Sequence, residues 1–343
     1  RRVGVVSGGG RRGRLRLLPR PLDGAGARLT IIRHHRVYGD GERPLYRLGV
    51  SESLLASQLA LLRRLGLVPL TVAEGLAWLA SGEPGHRVAL SFDDGYADNV
   101  RRALPLLGSA GAKATFYLTA GLIEERRAPW WDVLAHLLSR THLGRLEWRG
   151  CALPLAGARA RIVALRALVP ELRVAPQEQG ARLAELAARL GVAEPAPCGL
   201  AAWEECRAFA AAGMEVGAHT LTHPFLTTLA PAEQRAEIGG SIALIHARLG
   251  TRPAGLAYPG GDHDAESVAA ARDCGLAYAV TTRAGDAHPT APRLELPRRG
   301  LSEGACLGPG GRFSSRLATA ELFGAFDRLR GNASERAAEE SAA

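Results

Sequence analysis

Residues 87–95 read Arg87-Val88-Ala89-Leu90-Ser91-Phe92-Asp93-Asp94-Gly95. The apolar run has the length of a strand, and it stops on two carboxylates and a glycine. In a parallel sheet or barrel both acids would stand at the C-terminal end of that strand, where the active sites of barrels collect. Adjacent acids can divide the work of a hydrolytic site, one holding a metal and the other taking a proton from water. Gly95 lets the backbone turn sharply beside them. Alone, Asp-Asp-Gly is more often an ordinary turn or helix cap.

On either side, short apolar runs alternate with amphipathic segments. Leu29-Thr30-Ile31-Ile32 and Ala114-Thr115-Phe116-Tyr117-Leu118 have strand character, while 53–65 and 99–110 have helical spacing. The pattern returns with helices over 203–212, 231–249 and 265–274, and strands over 214–218, 255–258 and 277–281. Such alternation builds βα units around a parallel sheet or barrel. Between the halves, residues from about 124 to 199 are rich in Ala, Leu and Arg with a helical pattern, and read as a helical insertion and candidate lid. Residues 1–28 read as a flexible Gly/Arg/Pro-rich leader and 331–343 as a flexible tail, leaving one domain over 29–330.

The chain has 343 residues, 47% of them hydrophobic, which is enough for a large buried core. Its net charge of +9 is an arginine effect, since Lys113 is the sole lysine. Nucleic-acid binders gather basic and aromatic residues on one face. Here the arginines are dispersed and only 5% of residues are aromatic, which argues against a nucleic-acid partner. The charge is compatible with peripheral attraction to a membrane surface or an anionic glycan. Five cysteines without a Cys-x-x-Cys pair point to reduced thiols, not to a disulfide framework or a cysteine zinc site. No stretch approaches the roughly 18 apolar residues of a spanning helix, and the start lacks an apolar signal core. The expectation is therefore a cytoplasmic or membrane-peripheral protein.

A second polar cluster, His219-Thr220-Leu221-Thr222-His223-Pro224, follows the strand at 214–218. Two histidines four apart can converge on one metal. Thr220 stands where a zincin protease needs glutamate, and Pro224 disfavours a helical His223, so a short turn opening a loop is the better reading. A lone pair of histidines is more often structural. Two histidines with a carboxylate and open positions for water make a hydrolytic metal site.

Taken together, Ser91-Phe92-Asp93-Asp94-Gly95 and His219-Thr220-Leu221-Thr222-His223-Pro224 resemble the first two motifs of the polysaccharide deacetylases, the NodB-like carbohydrate esterases of family 4. The resemblance implies a deformed (β/α) barrel with a helical insertion, and an enzyme hydrolysing N-acetyl groups of a polysaccharide or glycolipid. It implies Asp93 as general base and Asp94, His219 and His223 as ligands of a divalent metal, zinc first, with cobalt or another divalent ion as alternatives. Ala257-Tyr258-Pro259-Gly260-Gly261 occupies the place of the third motif but lacks the aromatic at its middle position. Gly260 N–H would supply the oxyanion contact there and Tyr258 would line the substrate pocket. Ile31-Ile32-Arg33-His34-His35-Arg36-Val37 resembles the start of a permuted branch in which the N-terminus supplies the last barrel strand, and this match puts His35 in the role of general acid.

Arg298 is a candidate to hold Asp93 ionised, with Arg299 as the alternative and a surface arginine as the plain reading of either. Trp130 and Trp131 are candidates to stack on sugar rings, although tryptophans at a helix start are more often packing anchors. Two other functions stay open: a metal amidohydrolase acting on a small N-acyl substrate, and a catalytically silent glycan-binding or scaffold protein.

Overall fold

The structure, a computed structural model, describes residues 26–42 and 44–327. The leader expected over 1–28 lies outside the described residues except at its last three positions, and the expected tail lies wholly outside them. The strands are β1 (Arg28–His34), β2 (Arg36–Tyr38), β3 (Gly49–Ser51), β4 (His86–Phe92), β5 (Thr115–Leu118), β6 (Arg145–Trp148), β7 (Cys151–Pro154), β8 (Glu215–Ala218), β9 (Gly255–Ala257), β10 (Tyr278–Val280) and β11 (Arg299–Gly300). The first six helices are α1 (Glu52–Arg64), α2 (Val72–Ala80), α3 (Leu104–Ala110), α4 (Ala120–Glu124), α5 (Trp130–Arg140) and α6 (Ala158–Glu171). They are followed by α7 (Pro176–Leu190), α8 (Trp203–Ala211), α9 (Pro231–Leu249), α10 (Ala265–Asp273), α11 (Glu303–Cys306) and α12 (Ser315–Leu322).

Seven strands form one parallel sheet in the order β10-β9-β8-β5-β4-β1-β11. Alternation along each strand separates two packed faces. Leu29, Ile31, Ala89, Tyr117, Ala257 and Tyr278 line the concave face, which α2 plugs through Val72, Leu76 and Leu79. Ile32, Val88, Leu90, Phe92 and Phe116 face the other way, under the surrounding helices. A short irregular stretch closes the curl. Leu296 bridges to Val280 of β10, and a few residues on, Arg299 and Gly300 pair with Ile32 and Arg33 of β1. The sheet is thus the deformed (β/α) barrel that the sequence implied.

Residues between α4 and α8 carry α5, the β6–β7 hairpin, α6 and α7 around a core of their own, including Leu134, Leu138, Leu146, Trp148, Leu168 and Leu186. The antiparallel hairpin departs from the purely helical expectation. Gly150, at φ 81, makes its turn, and Leu146 and Trp148 alternate inward between exposed Arg145 and Glu147. Four residues per strand are too few for that period to stand out from a helical background. Among the described residues no helix is long and apolar enough to cross a membrane.

Candidate active site

β4 delivers Asp93 and Asp94 to the C-terminal rim of the barrel, and both are buried. Asp93 is clamped by Arg298, whose Nη1 and Nη2 donate to its two carboxylate oxygens at 2.7 and 2.8 Å. Arg298 is itself fixed, donating Nε–H to the Thr281 carbonyl at 2.9 Å and Nη1–H to Ser91 Oγ at 3.1 Å. Burial would raise the Asp93 carboxyl, but the bidentate guanidinium outweighs it and holds the group far below the usual carboxylate range. The irregular stretch that closes the barrel carries Arg298 inward to Asp93. Its neighbour Arg299 is used elsewhere, on Asp286 and Asp327.

Asp94, His219 and His223 bring one potential ligand atom each to within 4.8 Å of one another, and all three residues are buried. His219 Nε2 stands 3.3 Å and His223 Nε2 3.7 Å from Asp94 Oδ1. His219 Nδ1 is 2.7 Å from the Ala257 carbonyl, a contact that fixes a proton on Nδ1 and turns Nε2 towards Asp94. Burial lowers both imidazoles. For His219 the hydrogen bond to Asp94 overcomes that effect, whereas His223 is left at about 3 by burial and its neighbour His219. Asp94 Oδ2 and His223 Nδ1 are buried without a hydrogen-bond partner. An orphaned carboxylate oxygen beside two buried imidazoles fits a divalent cation of the kind zinc represents.

The backbone is strained here. Asp94 (φ 77), Thr220 (φ 64) and His223 (φ 58) are three of the five non-glycine residues with positive φ among the described residues. Each costs on the order of 1–3 kcal/mol, and a β-branched threonine is especially averse to this region. The His loop is held in place by its surroundings. Glu237 on α9 accepts from Leu221 N, Thr222 N and Thr222 Oγ1, and Thr220 Oγ1 accepts from His223 N. Ala120 and Gly121 at the start of α4 donate to the carbonyls of Thr220 and Leu221.

The end of β1 separates the two adjacent histidines. His34 points to the outer face and stacks on Phe92, ring centroids 5.2 Å apart. His35 points to the rim, with Nε2 3.8 Å from Asp93 Oδ2, and burial lowers it to about 4 against the pull of Asp94 and Asp93.

Gly260 sits on the same rim at φ 62, where an added Cβ would come within 3.2 Å of the Phe225 ring. The Phe225 ring of the His loop therefore lies beside the position where the third motif lacks an aromatic, and Gly260 stays exposed.

Two expectations are corrected. Tyr258 is fully buried, donates its hydroxyl to the Leu294 carbonyl and stacks on His263, so it offers no face to a substrate. Trp131 is 4% exposed, packs its edge on His223 at 4.3 Å and donates to Tyr96 Oη, which makes it a buttress of the site and not a sugar platform. Trp130 is partly exposed, 5.9 Å from the Phe225 ring. Tyr96, Phe225 and Glu237 carry no local signal in the sequence, because their roles depend on partners on other elements.

Residues 80–279 match the polysaccharide deacetylase family. No curated protein matches the sequence. Among solved structures, the chain is similar to Streptococcus pyogenes deacetylase PplD in complex with acetate, with TM-score 0.60 and 18% identity, covering 87% of this chain and 99% of that one. It is similar to BC0361, a polysaccharide deacetylase from Bacillus cereus, with TM-score 0.55 and 15% identity over 87% and 69% of the two chains. It is also similar to IcaB from Ammonifex degensii, with TM-score 0.54 and 20% identity over 86% and 97%. At these identities the structural likenesses concern the fold.

Proposed function

Because this chain belongs to the polysaccharide deacetylase family and is a hydrolase of amide bonds, we propose that it removes acetyl groups from an N-acetylated sugar polymer or glycoconjugate, with a divalent ion held by Asp94, His219 and His223. The observation that carries this reading is the side-by-side placement of two carboxylates with opposite surroundings. Asp93 is saturated by Arg298, while Asp94 keeps an orphaned oxygen beside two imidazoles. When bound, the ion supplies Lewis-acid polarisation of the acetyl carbonyl and makes water more acidic.

The side chains then divide the proton work. Arg298 keeps Asp93 deprotonated, and Asp93 takes the proton of the attacking water. His35, neutral at rest because burial lowers it to about 4, stands 3.8 Å from Asp93, takes from it the proton gained from water and delivers that proton to the leaving amine, so that both groups return to their starting state. Gly260 N–H holds the oxyanion, beside the Phe225 ring. The products are acetate and a free amino sugar. The place of β1, first in the chain yet lying between β4 and β11, supports assignment to the permuted branch.

The test is acetate release from N-acetylglucosamine oligomers by the metal-stripped chain, before and after zinc or cobalt is restored. Release should appear only with metal. Equal release without metal would remove the ion from the reaction, and stoichiometric metal binding without release would redirect the search to another N-acyl substrate.

A further inference from the structure

Arg33 is a charged side chain near the two carboxylates that the chemistry above does not use. It lies on β1 between Ile31 and His35 on the concave face, in register with Ser91 on one side and Gly300 on the other. Ser91 precedes the Asp93-Asp94 pair and also accepts from Arg298, so this register seats Arg33 beside the catalytic carboxylates. The neighbouring strand leaves room for its head group: a Cβ built on Gly300 would meet only Arg33 Nη2, at 3.9 Å. Arg33 is partly exposed and lies in the field of Arg298, Asp93, Asp94 and Tyr46. Yet among the described residues no carboxylate pairs with it, since Asp93 is engaged by Arg298 and Asp94 faces the histidines.

An arginine in a half-buried pocket without an anionic partner is costly unless a ligand supplies one. Asp93 and Asp94 balance Arg298 and Arg33, so a divalent ion would leave the pocket net positive. Tyr46, whose carbonyl accepts from Tyr38 Oη at 3.2 Å, packs against the core of the insertion and contributes to the field at Arg33.

We infer that Arg33 is an anion-recognising subsite, and that the substrate is an N-acetylated amino sugar carrying a phosphate or carboxylate near the acetamido group. The inference rests on the deacetylase reading and names its substrate class. A guanidinium offers paired N–H donors that either oxyanion can accept, so both sources share one chemistry.

The experiment measures kcat/KM of the zinc-loaded full chain on N-acetylglucosamine 1-phosphate, N-acetylglucosamine 6-phosphate and N-acetylmuramic acid, each as a ratio to the neutral methyl glycoside of N-acetylglucosamine. At least one ratio should exceed unity, and which one distinguishes phosphate from carboxylate. Arg33→Gln should lower that ratio about tenfold through KM, the loss of one charge-assisted contact. Gly300→Asp, which offers Arg33 an internal carboxylate, should lower it similarly and keeps the proposal testable if Arg33→Gln misfolds. Ratios at or below unity for every probe, or a preference that survives both variants, would overturn it. Calorimetry of glucosamine phosphates on the metal-free chain separates the two readings. Arg33-dependent binding without turnover of any probe would retain the anion subsite and reject deacetylation, whereas turnover of the neutral glycoside alone would do the reverse.

Discussion

The rim of the barrel and the insertion between α4 and α8 are built to different tolerances. At the rim, polar side chains are fixed by partners from distant strands: Asp93 by Arg298, His219 by the Ala257 carbonyl and the His loop by Glu237. Strained backbone at Asp94, Thr220 and His223 persists because so many contacts over-determine it. The insertion has a separate apolar core and reaches the site through a few attachments. Trp131 packs on His223, Tyr96 Oη donates to Asp132, and Arg173 pairs with Asp262 while lying 5.0 Å over the Phe225 ring. The difference implies that the clustered acids and histidines belong to the barrel, and that the insertion supports one histidine from behind.

The most demanding test of this division is Asp94→Ala. It should weaken zinc or cobalt binding by about a thousandfold or more in calorimetry, because two imidazoles alone lack the anionic ligand. Undiminished affinity would remove Asp94 from the ligand set. Asp93→Asn sharpens the contrast within the rim itself: metal binding should persist while turnover falls about 10²–10⁴-fold, the usual share of a general base. Leu168→Ala probes the other region. Leu168 is 1% exposed in the core of the insertion, so its truncation should cost about 2–5 kcal/mol in denaturant unfolding yet leave metal affinity within about twofold. A matching collapse of metal binding would show that the two regions are one cooperative unit.

The smallest effect concerns their junction. Burial pushes Asp132 up to about 6 from the ordinary 3.8, against the favourable field of Arg36. A carboxyl raised on folding favours its protonated form, so the stability linked to it is full below about pH 4 and is lost as pH climbs through about 6. Asp132→Asn still accepts from Tyr96 Oη and removes that loss. Its Tm should rise by a few degrees at pH 8 and change little at pH 4. An equal gain at both would trace the effect to packing instead of charge.

Most of the βα elements were legible from periodicity because a strand buried on both faces is a short apolar run and a packed helix repeats its apolar residues every three or four. The acids and histidines were legible for a related reason. Each cluster directly follows a strand, so local order along the chain carries it to the rim. The β6–β7 hairpin and β11 were not legible, being too short to show a period. Tyr258 beside a motif and Trp131 at a helix start both offer aromatic faces in sequence, but the Leu294 carbonyl, His263 and Tyr96 take them into the interior.

By itself, then, the sequence determined the parallel βα architecture and which residue types arrive at the strand ends, because both follow from local spacing. Tertiary structure decided the pairings: Arg298 and not Arg299 on Asp93, His35 and not His34 at the rim, and Arg33 left without a carboxylate beside Gly300. Those choices depend on strand register and on how the barrel closes, where a shift of one residue turns a side chain to the opposite face.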